Sequence, residues 1–467
     1  MTPPWLDLGL TRIRATVVAF LGDPLRAPLR QAVNPRYLDR ASGMFRSFGT
    51  TDIDSMRSVP REVLAVALTA LLAWVARPAT SDAQVATAFY VSTGRDASDS
   101  HSCTQARNLN TPKRTLESAL QCLTAGATLY LRAGTYTESV GDGDHDYSGT
   151  SWANATKIAA YAGETVTIKA PIGANFAIQI GRRSYVVIDR ITVDGAGVVY
   201  DAVKLNGTSH HVRFQNGSIY NGTRQGVNIQ DGAYGHELVN MNIDGNGSGG
   251  LDHGVYIATS NNLVDGSRIH GSSGYGVHVY NESCACANGN IVRNNRIYDN
   301  NLRAEGYGLL LGSGSGNAAY NNLIYGNHGG VQVAHGVPNG TKVYNNTVYD
   351  NRNWAGIIVQ AEAVATQVKN NIIYRSRGDA LVGGGSGTAM ANNLIEVDPL
   401  FVNAAAGDFS LRSGSPAIDR GAPLPDVGVD FNRGPRPAGA GHDIGAHEHG
   451  SVPLPARPSN VRIVVPG

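Results

Sequence analysis

The chain has 467 residues, a formal net charge of +1, 57 glycines and only 16% charged residues. An apolar content of 42% is too high for a disordered chain, and so much glycine does not suit a helical bundle. The near-neutral balance gives no basis for holding nucleic acid or an acidic polymer by bulk charge, so a charged ligand must be met by local complementarity.

Residues 1–55 are arginine-rich, carry Pro3, Pro4, Pro24, Pro28 and Pro35, and show little sustained periodicity. They read as an upstream extension before a true start at Met56; the alternative is the cytosolic arm of a signal-anchor. Met56, Arg57 and Arg61 precede an apolar run over 63–75, and Thr80, Ser81, Asp82 and Ala83 follow it. That order of basic, apolar and small residues is a signal peptide over 56–83 with a cut after Ala83. The 13 residues of this run fall short of the about 20 a membrane span needs. The mature chain is expected to begin near Gln84, exported and without a membrane span.

The segment 115–123 places Leu116, Ala119, Leu120 and Leu123 on one helical face, suited to plugging the end of a stacked structure. A first strand is expected at 127–131. Cys103 and Cys122 flank this cap and are expected to pair, since export permits disulfides.

From Ile191 to Ile395 an apolar anchor recurs at Ile219, Ile243, Ile269, Ile297, Ile324, Val348 and Ile373, in steps of 22 to 28 residues. Around it the unit reads Asn-Asn-x-Ile-Tyr-x-Asn, a variable loop, then Gly and a short alternating apolar strand. Stretches of helical periodicity are absent between the strands, so the units are not βαβ. Short strands, polar bends and this period predict parallel strands coiling as an all-β solenoid, a β-helix. Asn216, Asn240, Asn294, Asn321, Asn345, Asn370 and Asn392 stand three residues before the anchor. Asparagine tolerates the left-handed bend expected there, and stacked amides can bond along the axis. Tyr220, Tyr298, Tyr325, Tyr349 and Tyr374 form a second column, read as a structural stack. Cys284 and Cys286 are open to a bridge, free thiols or, least favoured, a metal clip.

The run from Phe89-Tyr90-Val91-Ser92 to Arg132-Ala133-Gly134-Thr135-Tyr136 resembles the opening of secreted right-handed parallel β-helix proteins of the pectate-lyase-like superfamily. Asp398-Pro399-Leu400-Phe401, Ser415-Pro416-Ala417-Ile418-Asp419 and Asp443-Ile444-Gly445-Ala446-His447-Glu448 resemble the choice-of-anchor Q segment of many such bacterial proteins. The resemblance implies a right-handed coil over 84–403, a segment over 404–450 that completes or caps it, and an exposed tail over 451–467. Lyases, hydrolases, epimerases and non-enzymatic binders share this fold, so it does not choose a reaction.

Where the regularity fails, chemistry is expected. The outward position of the Gly-led strand reads Lys204, Asn228, Tyr256, His278, then Leu310, Gln332, Ile358 and Val382. The first four span three strand steps, roughly 14 Å, about the length of three sugars. Lys204, Tyr256 and His278 are the candidate catalytic groups, as base and acid. Arg224, Asn228, Asp252, His253 and Tyr280 are the candidate substrate-binding groups. Removing the hydrogen α to a uronate carboxylate needs that carboxylate neutralised, a base, and an acid for the leaving oxygen. These residue types favour β-elimination on an acidic polysaccharide, by a monomer. C5 epimerisation, hydrolysis and non-catalytic carbohydrate binding or adhesion are the alternatives; the carboxylate order of the related hydrolases is absent. Bound calcium is an option, because Asp194, Asp201, Asp231, Asp244 and Asp252 crowd neighbouring turns.

Overall fold

The computed structural model describes residues 87–281, 283–303 and 306–452. The extension over 1–55, the signal peptide over 56–83 and the tail from 453 onward lie outside the described residues. Three parallel sheets of twelve, eleven and nine strands are visited in rotation by successive turns, about ten in all. This is a right-handed parallel β-helix, as expected. Among the described residues no helix is long and apolar enough to cross a membrane.

Period-two alternation sends every second side chain of a strand inward, and identical registers pile those residues into columns. In the second sheet Val193, Ile219, Ile243, Ile269, Ile297, Ile324, Val348 and Ile373 are in direct register. All eight are fully buried. The first anchor is therefore Val193 and not Ile191, which precedes its strand, Thr192–Asp194. Both face inward because they are two residues apart. The last anchor, Ile395, pairs with Ile373 but is 41% exposed at the end of the stack.

Every asparagine of the predicted bend column has a positive φ, between 50° and 59°. The same place is taken by Arg190 and Gly266 in the other turns, also left-handed. The axial amide ladder, however, runs mainly through the next residue. Asn295, Asn322, Asn346, Asn371 and Asn393 pass amide bonds along the coil at 2.9–3.0 Å. Each also donates to a backbone carbonyl of the preceding turn. The first asparagine makes the bend and the second fills it.

At the N-terminal end the helix Leu116–Leu120 is capped by the Thr115 hydroxyl, which accepts from the Ser118 N–H at 3.2 Å. Its apolar face is buried, and Cys103 is bonded to Cys122. The first strand is Ala88–Val91, paired in parallel with Thr128–Leu131, so the strand expected to open the fold is the second. Cys284 and Cys286 also form a disulfide.

The C-terminal segment adds no turn. Strands Phe401–Asn403 and Asp408–Leu411 make a separate antiparallel pair, with Phe401 and Phe409 packed on Tyr349. Further on, Arg436 donates to Glu448 at 2.5 Å with both side chains inaccessible, and Asn345 and Asn370 donate to backbone carbonyls of the segment. It thus lies back along the second sheet.

Candidate active site

The third sheet carries the irregular outward column. Strands Val203–Leu205, Val227–Ile229, Val255–Ile257 and Val277–Val279 each turn two aliphatic side chains inward, all 1% exposed or less. That fixes the middle residue outward. Lys204, Asn228, Tyr256 and His278 are accordingly in direct register, with Leu310 next. They line a cleft of about 460 Å³, together with Arg224, His253 and Tyr280. Asp252 is the exception among the expected residues. Its carboxylate accepts from the N–H groups of Ser248 and Gly249 at 3.0 and 2.5 Å and so closes its own loop.

Lys204 is only 5% exposed, with its ammonium nitrogen 3.6 Å from the Asp231 carboxylate. Burial lowers its pKa, against the opposing pull of Asp201 and Asp231. Asp201 is buried and accepts from the Gln225 N–H at 3.0 Å and from Asn228 Nδ2 at 2.9 Å; desolvation raises its pKa. A carboxylate can only accept, so this bond fixes the Asn228 amide with its oxygen pointing away. That oxygen is buried without a hydrogen-bond partner. Arg224 is exposed, its guanidinium 4.9 Å from the centre of the Tyr200 ring.

At the other end two histidines share a proton. The Tyr275 N–H lies 3.0 Å from His253 Nδ1, so that nitrogen must present a lone pair. In a neutral ring the hydrogen is then on Nε2, 2.7 Å from His278 Nδ1. His278 Nδ1 is therefore the acceptor, and its own hydrogen sits on Nε2, which is buried and without a partner. Burial lowers the pKa of His253 to about 4 and holds His278 well below its ordinary range. The His278 ring is stacked on Tyr275 at 4.8 Å and on Tyr280 at 5.6 Å, and meets Tyr256 edge-on at 5.3 Å. A neutral ring held this way donates at Nε2 and has no lone pair there.

The acidic residues raised for calcium do not converge. Asp194 pairs with Lys169 at 3.1 Å, Asp244 with His270 at 3.0 Å, and the other three are engaged as described. Among the described residues no group of three or more His, Cys, Asp or Glu side chains is arranged to hold a metal ion. These donors do not fit a calcium site.

Phe176, Tyr200 and Gln225 also line the cleft and were not singled out from sequence. Phe176 and Tyr200, with ring centres 5.8 Å apart, precede their strands in loops that a column reading does not reach. Tyr275 was not singled out either, and it takes part through its backbone N–H, which no side-chain pattern reveals. The expected tyrosine stack is formed in part: Tyr298 and Tyr325 lie 5.1 Å apart and 3° from parallel, with His270 continuing the stack at 4.6 Å, whereas Tyr349 and Tyr374 are 6.2 Å apart and tilted by 45°.

A family model described as a right handed beta helix region matches residues 237–395. No curated protein matches the sequence. Among solved structures, pectate lyase Pel9A is 16% identical, with 79% of this chain and 98% of that one covered and a TM-score of 0.57. A rhamnogalacturonan lyase is 14% identical, with 68% and 90% covered and a TM-score of 0.50. At such identities the likeness is one of fold, and the chain is similar to both as a right-handed parallel β-helix.

Proposed function

We propose that this chain is a secreted polysaccharide lyase that cleaves a uronate-containing polymer by β-elimination in the cleft of the third sheet. The observation that carries it is the buried Lys204, whose pKa burial lowers, on the floor of an aromatic-walled cleft rimmed by the exposed Arg224. A lysine held towards its neutral form is a base, and a nearby guanidinium is what a uronate carboxylate needs to acidify its α hydrogen. In the proposed reaction Arg224 neutralises the carboxylate and the Lys204 amine takes the α proton. The carbon–carbon double bond forms as the glycosidic oxygen leaves with a proton from the Tyr256 hydroxyl. His278 donates a hydrogen bond and moves no proton.

Incubation with a panel of acidic polysaccharides should produce the ultraviolet absorbance of an unsaturated uronate, and the Lys204→Ala variant should not. Chain shortening without that absorbance would favour hydrolysis, and altered sugar configuration without shortening would favour C5 epimerisation. Binding without any turnover would support the non-catalytic alternative, for which the aromatic walls are equally suited.

A further inference from the structure

The positive charge that the cleft offers a ligand is one-sided. Lys204 and Arg224 stand at the end lined by Phe176 and Tyr200, but Lys204 already faces Asp201 and Asp231, so the cation presented there is the exposed Arg224. Three strand steps from Lys204 the column reaches His278, and the lining there is His253, Tyr256, His278 and Tyr280. The two histidines of that half are held neutral by one another and by the Tyr275 N–H.

The unused hydrogen-bonding capacity is equally telling. Asn228 Oδ1 and His278 Nε2 are buried and without a hydrogen-bond partner. The first is locked as an acceptor by the bond from its amide nitrogen to Asp201, the second as a donor by the bond to His253. Buried polar atoms left unpaired are costly, and a site with such atoms selects ligands that satisfy them. The uncharged acceptor suits a hydroxyl or amide N–H of a neutral sugar, and the uncharged donor suits a hydroxyl, ring or amide oxygen. A carboxylate in the second half of the cleft would lose water and find no cation in return.

We propose that the cleft takes a polymer in which uronate alternates with a neutral sugar, the uronate at Arg224 and the neutral unit at His278, and disfavours a homopolyuronate. This rests on the acidic-polysaccharide reading above and narrows it. His253 then acts as a positioning residue, holding the His278 donor in place.

The test is calorimetric binding of size-matched oligosaccharides. One set comes from polygalacturonate, polymannuronate and polyguluronate. The other comes from hyaluronan, unsulfated chondroitin and a backbone alternating galacturonate with rhamnose. The expected result is that at least one alternating ligand binds tenfold or more tighter than every homopolyuronate. Its affinity should fall at least tenfold in Arg224→Ala, and His278→Arg, by adding a cation to the second half, should narrow the preference. A homopolyuronate that binds as tightly as the best alternating ligand would overturn this inference and leave the lyase reading standing. Binding of no member of either set would overturn both. The nitrogen chemical shifts of His278 read the tautomer without any ligand: a proton on Nε2 is expected, lost to a mixed population in His253→Phe, and a proton on Nδ1 in the unaltered protein would remove the donor the inference needs.

Discussion

Replacing Asn346 by alanine should be among the most damaging single changes in the coil. Its side chain is fully buried and makes four bonds. The oxygen accepts from the Asn322 N–H at 3.0 Å and from its Nδ2 at 2.9 Å. The nitrogen donates to the Ala319 carbonyl and to Asn371 Oδ1, both at 3.0 Å. Alanine strands the Asn322 N–H without this partner and takes one bond from each of the other three groups. At about 1 kcal/mol per bond, more for the stranded donor, the loss is about 4 kcal/mol. The comparison is Asn240→Gly, in the bend column. Asn240 has a φ of 52° and is exposed, with one amide bond to Asn216 Oδ1 at 2.9 Å. Glycine takes that backbone without strain, so the loss should stay below about 1 kcal/mol. Equilibrium unfolding in urea of the two variants and the parent measures both. Equal losses, or a loss for Asn346→Ala under about 1 kcal/mol, would refute the division of labour between bend and ladder.

Lys204→Met should cut turnover by about 10²–10⁴-fold, the range for removing a general base, while leaving the fold as stable or more so at pH 7. Lost activity accompanied by a lower urea midpoint would point to a structural lysine instead. His236 and His447 are buried, with pKa values lowered to about 3 and about 4. Both are neutral in the fold, whereas the unfolded chain protonates them below about pH 6.5, so their contribution to stability is complete above that pH and lost as pH falls from there towards 4. His447→Gln should therefore flatten the acid limb of the stability profile by about 1.4 kcal/mol per pH unit in that window, and an unchanged slope would contradict the assignment. Glu448→Ala leaves the buried Arg436 without its partner and should cost about 3–5 kcal/mol, with proteolysis over 398–452 rising first. Cleavage elsewhere before that segment would show that it is not held by this pair.

Much of the fold was legible because a solenoid repeats its demands. A left-handed bend in every turn asks for asparagine or glycine, and the sequence shows that column openly. The ladder was missed because the second asparagine stands beside the first and has the same composition signal; only its burial tells them apart. Ile191 passed for an anchor because an inward residue two positions from the true one looks alike in sequence. For the site, the strand register gave the column Lys204 to His278 at once. The settings of Asp252 and His278 were not legible, because they depend on the backbone N–H groups of Ser248, Gly249 and Tyr275. No residue pattern announces where a main-chain donor will point.

The same contrast explains why chemistry can sit on the third sheet at all. An amide ladder works only if every turn supplies a donor and an acceptor, so its positions cannot vary without stranding a neighbour. The second sheet is further constrained by the C-terminal segment, whose Phe401 and Phe409 lie against the tyrosine stack. An outward position on the third sheet carries neither obligation, since its strands are already held by two inward aliphatic side chains apiece. A buried lysine, an orphaned amide oxygen and an unpartnered imidazole donor all lower stability, and a single turn of an ordinary coil has little reason to keep any of them. Unpaired buried atoms occur elsewhere too, as at Asn206 Oδ1 and His236 Nε2; those of Asn228 and His278 differ in belonging to residues that line one cleft with Lys204, where a ligand can complete their hydrogen bonds.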